Sequence, residues 1–149
     1  MHKYILPIEP PPTHQAALRI LKTRDGRQFI GKMAKSSAKK WSNAATLMIQ
    51  SQRQIKQADT LNAPCIVNIT FYYPHTKESE KYCKRTNQTH IAKATRPDLD
   101  NLAKSVLDAM VDAGVLKDDG AIVELGLAKY YASEPKVVID IDVHPVFDS

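Results

Sequence analysis

Cysteine is nearly absent: Cys65 and Cys83 are the only two in 149 residues, and no C-x-x-C spacing occurs. That excludes a disulfide-dense secreted scaffold and a thiolate zinc site of the usual spacing. No window approaches the roughly 20 consecutive apolar residues of a membrane span, so no membrane partner is expected. Near the N-terminus no apolar run reads as a signal peptide, and a reducing cytoplasm is the expected compartment. The five histidines, His2, His14, His75, His90 and His144, show no metal-ligand spacing and read as surface or loop residues. His90 alone is worth testing, because it precedes Asp98 by eight residues. Internal repeats and low-complexity tracts are also lacking. Acids are scarce in one half: residues 1–60 hold 11 Lys or Arg against Glu9, Asp25 and Asp59.

What is present fits one globular domain spanning 1–149, with 43% hydrophobic and 25% charged residues. Roughly two thirds of the extended chain's surface is buried at this length, so the fold needs no staple. The formal net charge is +5, divided into a balance of +8 over residues 1–60 and −3 over residues 61–149. A basic half beside an acidic half suits a polyanion partner together with a local carboxylate site; a solvated basic surface is the plainer alternative.

KYILPI (3–8) reads as a strand ended by Pro10, Pro11 and Pro12. ALRILKT and RQFIGKM flank the turn signal at Arg24, Asp25 and Gly26, which predicts a hairpin. From Ser37 to about Lys56, Trp41, Ala45, Met48 and Ile49 recur at helical spacing, with Ser36 or Ser37 placed to cap. CIVNITFYY (65–73) is the most β-branched and aromatic run and reads as a central strand. IVELGLAKYY (122–131) and KVVIDIDVH (136–144) alternate like strands with one wet face. Between the central strand and the helix that follows it, residues 74–96 read as a long basic loop carrying Lys77, Lys81, Lys84, Arg85, Lys93 and Arg96, either a binding loop or a disordered insertion.

RPDLDNLAKSVLDAMVDAGVLKDD (96–119) is the most informative stretch. Pro97 biases Arg96 away from helix, and Asp98 stands at the N-cap position, its carboxylate available to the first-turn amides. Leu99, Leu102, Ala103, Val106, Ala109, Met110 and Ala113 form a buried stripe; Asp100, Lys104 and Asp108 form an opposite one at i, i+4 and i+8. Gly114 ends the helix as its C′ residue. Asp118 and Asp119 fall in the connection to the next strand. Taken singly, these are a cap, a surface pair and a turn. If the strand from Ile122 returns beside CIVNITFYY, the connection folds back towards the helix start.

PDLDN, Lys104 three residues after Asn101, an apolar helix ending in AG, then DD and a β-run with Glu124 together resemble the signature of the RusA-type Holliday junction resolvases. The order of elements is similar over nearly the whole chain, from LPIEPPPTH to the last pair of strands. The chain departs from the family pattern at Gly120–Ala121 after the DD pair and at His14 in the PPTH element. The resemblance implies an α+β fold, a small mixed β-sheet with two main helices packed on it, acting as a homodimer. It implies a metal-dependent endonuclease that cuts four-way DNA junctions by paired nicks. Its metal site would fall on Asp98, Asp100 and Asp119 and its essential lysine on Lys104, supported by Asn101, Asp118 and Glu124.

Carboxylates gathered in this way repel, and a divalent cation relieves the repulsion; oxygen-only ligands suit Mg²⁺, with Mn²⁺ as substitute, rather than Zn²⁺. Arg24, Arg27, Lys32, Lys35, Lys39 and Lys40, with Lys84, Arg85, Lys93 and Arg96 of the long loop, would grip the backbones of branched DNA without reading sequence. No small-molecule cofactor is implied. The rivals are a non-catalytic prophage DNA-binding protein that keeps the fold, its acids serving as caps and turns, and a metal-dependent phosphoesterase acting on smaller substrates.

Overall fold

A computed structural model describes residues 2–12, 18–22, 28–32 and 36–146. Strand β1 (His2–Leu6) is followed by β2 (Leu18–Lys22), β3 (Gln28–Lys32) and helix α1 (Ser36–Lys56). Then come β4 (Cys65–Pro74), α2 (Lys77–Thr86), β5 (His90–Ala92), α3 (Leu99–Asp112), a 3₁₀ turn (Asp119–Ala121), β6 (Ile122–Ala132) and β7 (Lys136–Val143). Five strands form one mixed sheet in the order β1-β7-β4-β6-β5, and β2 pairs with β3 as the expected hairpin. Every pairing in the large sheet is antiparallel except β4 with β6. A parallel pair requires a crossover, and here α2, β5 and α3 supply it.

Alternation along the strands decides which face is covered. Tyr4 and Leu6 of β1, Val67, Ile69 and Phe71 of β4, and Val137, Ile139 and Ile141 of β7 point to one side. There they meet Trp41, Ala45 and Ile49 of α1 and Leu102, Val106, Ala109 and Met110 of α3. β4 is central, as its composition predicts, and the two helices expected on the sheet are α1 and α3. Trp41 Nε1 also donates to the Glu9 carbonyl oxygen at 2.8 Å, tying α1 to the chain leaving β1. α1 begins at Ser36, so Ser36 and Ser37 lie within the helix, and the residues before it are outside those described.

The segment 74–96 is not a loop. It contains α2 and β5, the latter an edge strand of three residues. α2 is held at its start by a reciprocal capping box, in which Thr76 Oγ1 accepts from the Ser79 amide and Ser79 Oγ accepts from the Thr76 amide. Only Ser79 and Cys83 are buried along it. A helix with so little apolar stripe escapes a search by hydrophobic period.

α3 keeps its predicted register. Leu102, Ala103, Val106, Ala109, Met110 and Ala113 are buried, while Asp100, Lys104 and Asp108 are exposed. Gly114 has φ +80°. The Gly114 amide donates to the Val111 carbonyl and the Val115 amide to that of Met110, both at 3.0 Å, a Schellman ending. Leu102 has no exposed surface and seats α3 on the sheet. Leu102→Ala is therefore expected to lower the unfolding free energy by about 2–5 kcal/mol in urea titration monitored by circular dichroism.

Candidate active site

The parallel return of β6 beside β4 closes the geometry that the sequence left conditional. After Gly114 the chain is steered: the Leu61 amide donates to the Val115 carbonyl at 2.9 Å and the Lys117 amide to that of Leu61 at 3.1 Å, while Thr60 Oγ1 donates to the Gly114 carbonyl. The connection thus has a fixed path into the 3₁₀ turn, which carries Asp119 back to the flank of α3. Asp100, Lys104, Asp108 and Asp119 line one cavity of about 300 Å³, with Ala103, Leu107, Leu125 and Leu127 as its apolar surfaces. Lys104 lies one turn from both Asp100 and Asp108, yet among the described residues it forms no ion pair with either. Its ammonium and the carboxylates are thus free to meet a ligand. Asp108, a member of the polar stripe and not of the expected metal set, reaches the site through its i+4 spacing from Lys104.

The other candidates are placed differently. Asp98 occupies the N-cap with extended backbone, but its side chain makes no capping bond, contrary to expectation; only its carbonyl is engaged, by the Leu102 amide. Asp98 is exposed and outside the lining of the cavity. Asn101, in the first turn of α3, is half-buried. Asp118 is the exposed residue before the 3₁₀ turn, its carbonyl accepting from the Ala121 amide at 3.2 Å. Glu124 shares the far face of the sheet with Ile66 and faces His144 at 3.7 Å, so it is not brought to the cavity. The bulge at Cys65/Ile66 shifts the register there, which residue spacing does not disclose. Among the described residues no three His, Cys, Asp or Glu side chains stand close enough to share a metal ion.

A second group of side chains holds the approach to α3, and sequence reading missed most of it. β6 continues the register Leu125, Leu127 with Lys129 and Tyr131, opposite Phe71 and Tyr73 of β4. Lys129 Nζ donates to the carbonyl oxygens of Thr95 and Pro97, at 2.5 and 2.7 Å, immediately before Asp98. The visible signal is a lysine at a position where strand alternation asks for an apolar residue. Lys93 Nζ donates to Thr95 Oγ1 at 2.6 Å and to the Tyr131 hydroxyl at 3.2 Å, over the rings of Tyr73 and Tyr131. The hydrogen bond with Thr95 and the charge of Lys93 hold the Tyr131 hydroxyl below the usual phenol pKa. Burial pushes that of Tyr73 up to about 12.

Of the residues assigned to DNA, Lys39 and Lys40 are exposed on α1, and Lys84, Arg85 and Arg96 are exposed beyond β4. Lys84 pairs with Glu80 at 3.2 Å and Arg85 lies over the Tyr82 ring. Arg24, Arg27 and Lys35 lie outside the described residues, as does His14; Lys32 is on β3, but its side chain is not among those described. His90 packs edge-on against Tyr130 on the sheet face opposite the helices. No helix among the described residues is long and apolar enough to cross a membrane.

Comparison with known proteins agrees with this architecture. Residues 7–142 match the family described as Endodeoxyribonuclease RusA. A Lactococcus phage r1t protein named crossover junction endodeoxyribonuclease rusA is 31% identical over 130 residues, covering 87% of this chain and 88% of the relative. A Bacillus subtilis (strain 168) protein, YqaN, is 28% identical over 121 residues, covering 79% of this chain and 81% of its own length. The match runs from the proline-rich segment after β1 to the end of β7 and takes in the whole of α3 and the turn bearing Asp119: this chain belongs to the RusA endodeoxyribonuclease family.

Proposed function

We propose that this chain is a divalent-metal-dependent endonuclease that resolves four-way DNA junctions by paired nicks. The observation that carries the reading is the convergence of Asp119, from the turn before β6, with Asp100 and Lys104 of α3 on one cavity in a chain of this family. Asp100 and Asp119 offer oxygen donors from two sides of the cavity, and Asp98, two residues before Asp100, keeps a carboxylate that no cap consumes. The chemistry of these oxygen donors suits Mg²⁺ or Mn²⁺, with Asp100 and Asp119 the pair that would hold the ion at the cavity and Asp98 standing apart from them in this structure. When bound, such an ion supplies Lewis-acid polarisation of a phosphodiester oxygen and lowers the pKa of an attacking water. Lys104 supplies a fixed positive charge for the developing charge on phosphate, and the apolar lining raises the worth of that charge relative to open water. Exposed Lys39, Lys40, Lys84, Arg85 and Arg96, with Lys93, bind the backbones.

A labelled mobile four-way junction tests the reading. Symmetric paired nicks that require Mg²⁺ or Mn²⁺ are expected, and a linear duplex of equal length should remain uncut. Absence of divalent-dependent cleavage would refute it.

Paired nicking further implies a two-fold homodimer, because the described residues of a chain bring Asp100, Lys104 and Asp119 to one such cavity and two strands of like polarity must be cut. Trp41 is buried in the core, whereas Ile5 of β1 is 45% exposed on the sheet face opposite the helices, where a partner could cover it. Light scattering should give twice the 16.7 kDa chain mass. A monomer that stays monomeric on junction DNA contradicts the paired mechanism.

A further inference from the structure

The hydrogen bonds around Tyr131 leave donors over. Lys93 Nζ brings three hydrogens, and Thr95 and Tyr131 one hydroxyl hydrogen each. Within the cluster Lys93 donates to both hydroxyl oxygens, and one of the two hydroxyls donates to the other at 3.0 Å. One hydroxyl hydrogen and one ammonium hydrogen then have no oxygen or nitrogen acceptor among the described residues. The charge is likewise uncompensated, since no carboxylate there lies within ion-pair distance of Lys93 or of neighbouring Lys129. The frame is rigid: the ammonium is held over two tyrosine rings at 4.9 and 4.8 Å, and Lys129 clamps the backbone on either side of Arg96. It is also accessible, because Thr95 and Tyr131 form part of the wall of an open cavity of about 700 Å³ that Lys77 and Tyr82 border from α2. Preorganised, donor-rich and positive, such a cluster lacks only an anionic acceptor.

We propose that Lys93, Thr95 and Tyr131 form an anchor for one backbone phosphate of bound DNA, on the segment that leads into Asp98. A non-bridging phosphate oxygen takes the free hydroxyl hydrogen and the ammonium charge, which sets the strand's position relative to the start of α3. The lowered pKa of the Tyr131 hydroxyl accords with this, as it makes the phenol a stronger donor. The assignment rests on the DNA reading of the chain but not on junction resolution, since phosphate contacts are independent of branching.

Binding is measured by fluorescence anisotropy without divalent metal, on a four-way junction and on a linear duplex, across a range of salt. Lys93→Ala should weaken both by about tenfold or more and flatten the dependence of log K on log salt by about 0.9. Thr95→Val and Tyr131→Phe, which leave charge unchanged, should each weaken binding by about two- to tenfold with the salt slope preserved. Lys93→Arg should restore the slope, which separates loss of a contact from loss of structure. Wild-type affinity and slope in the alanine and hydroxyl variants would overturn the anchor even if junctions are cleaved. The expected losses on duplex, in a chain that cuts no junction, would sustain the anchor and sink the resolvase reading. Protection of the site by inorganic phosphate at micromolar concentration would overturn it in favour of a free-anion pocket.

Discussion

Asp100→Asn is expected to abolish divalent-dependent junction cleavage while leaving metal-free junction binding equal to wild type or a few-fold tighter. Asp100 is exposed in the first turn of α3 and enters no ion pair among the described residues. Its replacement therefore breaks no structural contact and forfeits only the favourable interaction of an anion with a helix N-terminus, about 0.3–1 kcal/mol. That is far too small to unfold a domain whose stability is of order 5–15 kcal/mol. Catalysis is another matter. Asn is nearly isosteric, but it is neutral and a weak ligand for a hard cation, so the cavity keeps its shape and loses its hold on the ion. The same charge removal lessens repulsion of DNA phosphate, which accounts for the opposite sign expected in binding. The two readouts, single-turnover cleavage and anisotropy, must diverge. Cleavage within a few-fold of wild type would remove Asp100 from the site, and parallel losses in both would point to a folding defect.

Much of this geometry was legible in the residues because α3 obeys a single period. Leu102, Val106 and Met110 define the buried side, and the polar side then follows at Asp100, Lys104 and Asp108 without tertiary information. Gly114 marked its end for a conformational reason, since a left-handed residue is needed there. Asp119 was harder: its approach to Asp100 depends on β6 pairing parallel to β4 and on the Leu61–Leu116 bridge, both long-range. The resemblance to a family supplied what periodicity does not. Asp98 and Glu124 show the limit in opposite ways. Asp98 sits at the expected position without the expected bond, and Glu124 is turned to the far face by a bulge. α2 was missed because its start rests on Thr76 and Ser79 hydroxyls rather than on apolar spacing. The Lys129 and Tyr131 contacts were missed because only the strand register reveals that they face the segment leading into α3.

Lys104→Ala should reduce turnover by about 10²-fold or more with little change in junction affinity. Lys104 is exposed, one turn from Asp100 and one turn from Asp108, and forms a direct pair with neither. Each such helical pair is worth only about 0.2–0.5 kcal/mol even when formed, and Ala is the better helix former, so stability should hardly move. If the lysine served ground-state binding, its loss would raise KM, flatten the salt dependence of binding by about 0.9 and leave kcat near wild type. If it serves charge that develops as the phosphodiester bond breaks, kcat falls and KM does not. The cavity favours the second outcome. It places Lys104 among the apolar residues Ala103, Leu107, Leu125 and Leu127, beside which a fixed charge acts more strongly on a developing one than in open water. Lys104→Arg keeps the charge but spreads it over a planar fork, and should recover binding fully and turnover only in part. Equal losses of rate and affinity in Lys104→Ala would reassign the residue to the backbone-binding surface, alongside Lys39 and Lys40.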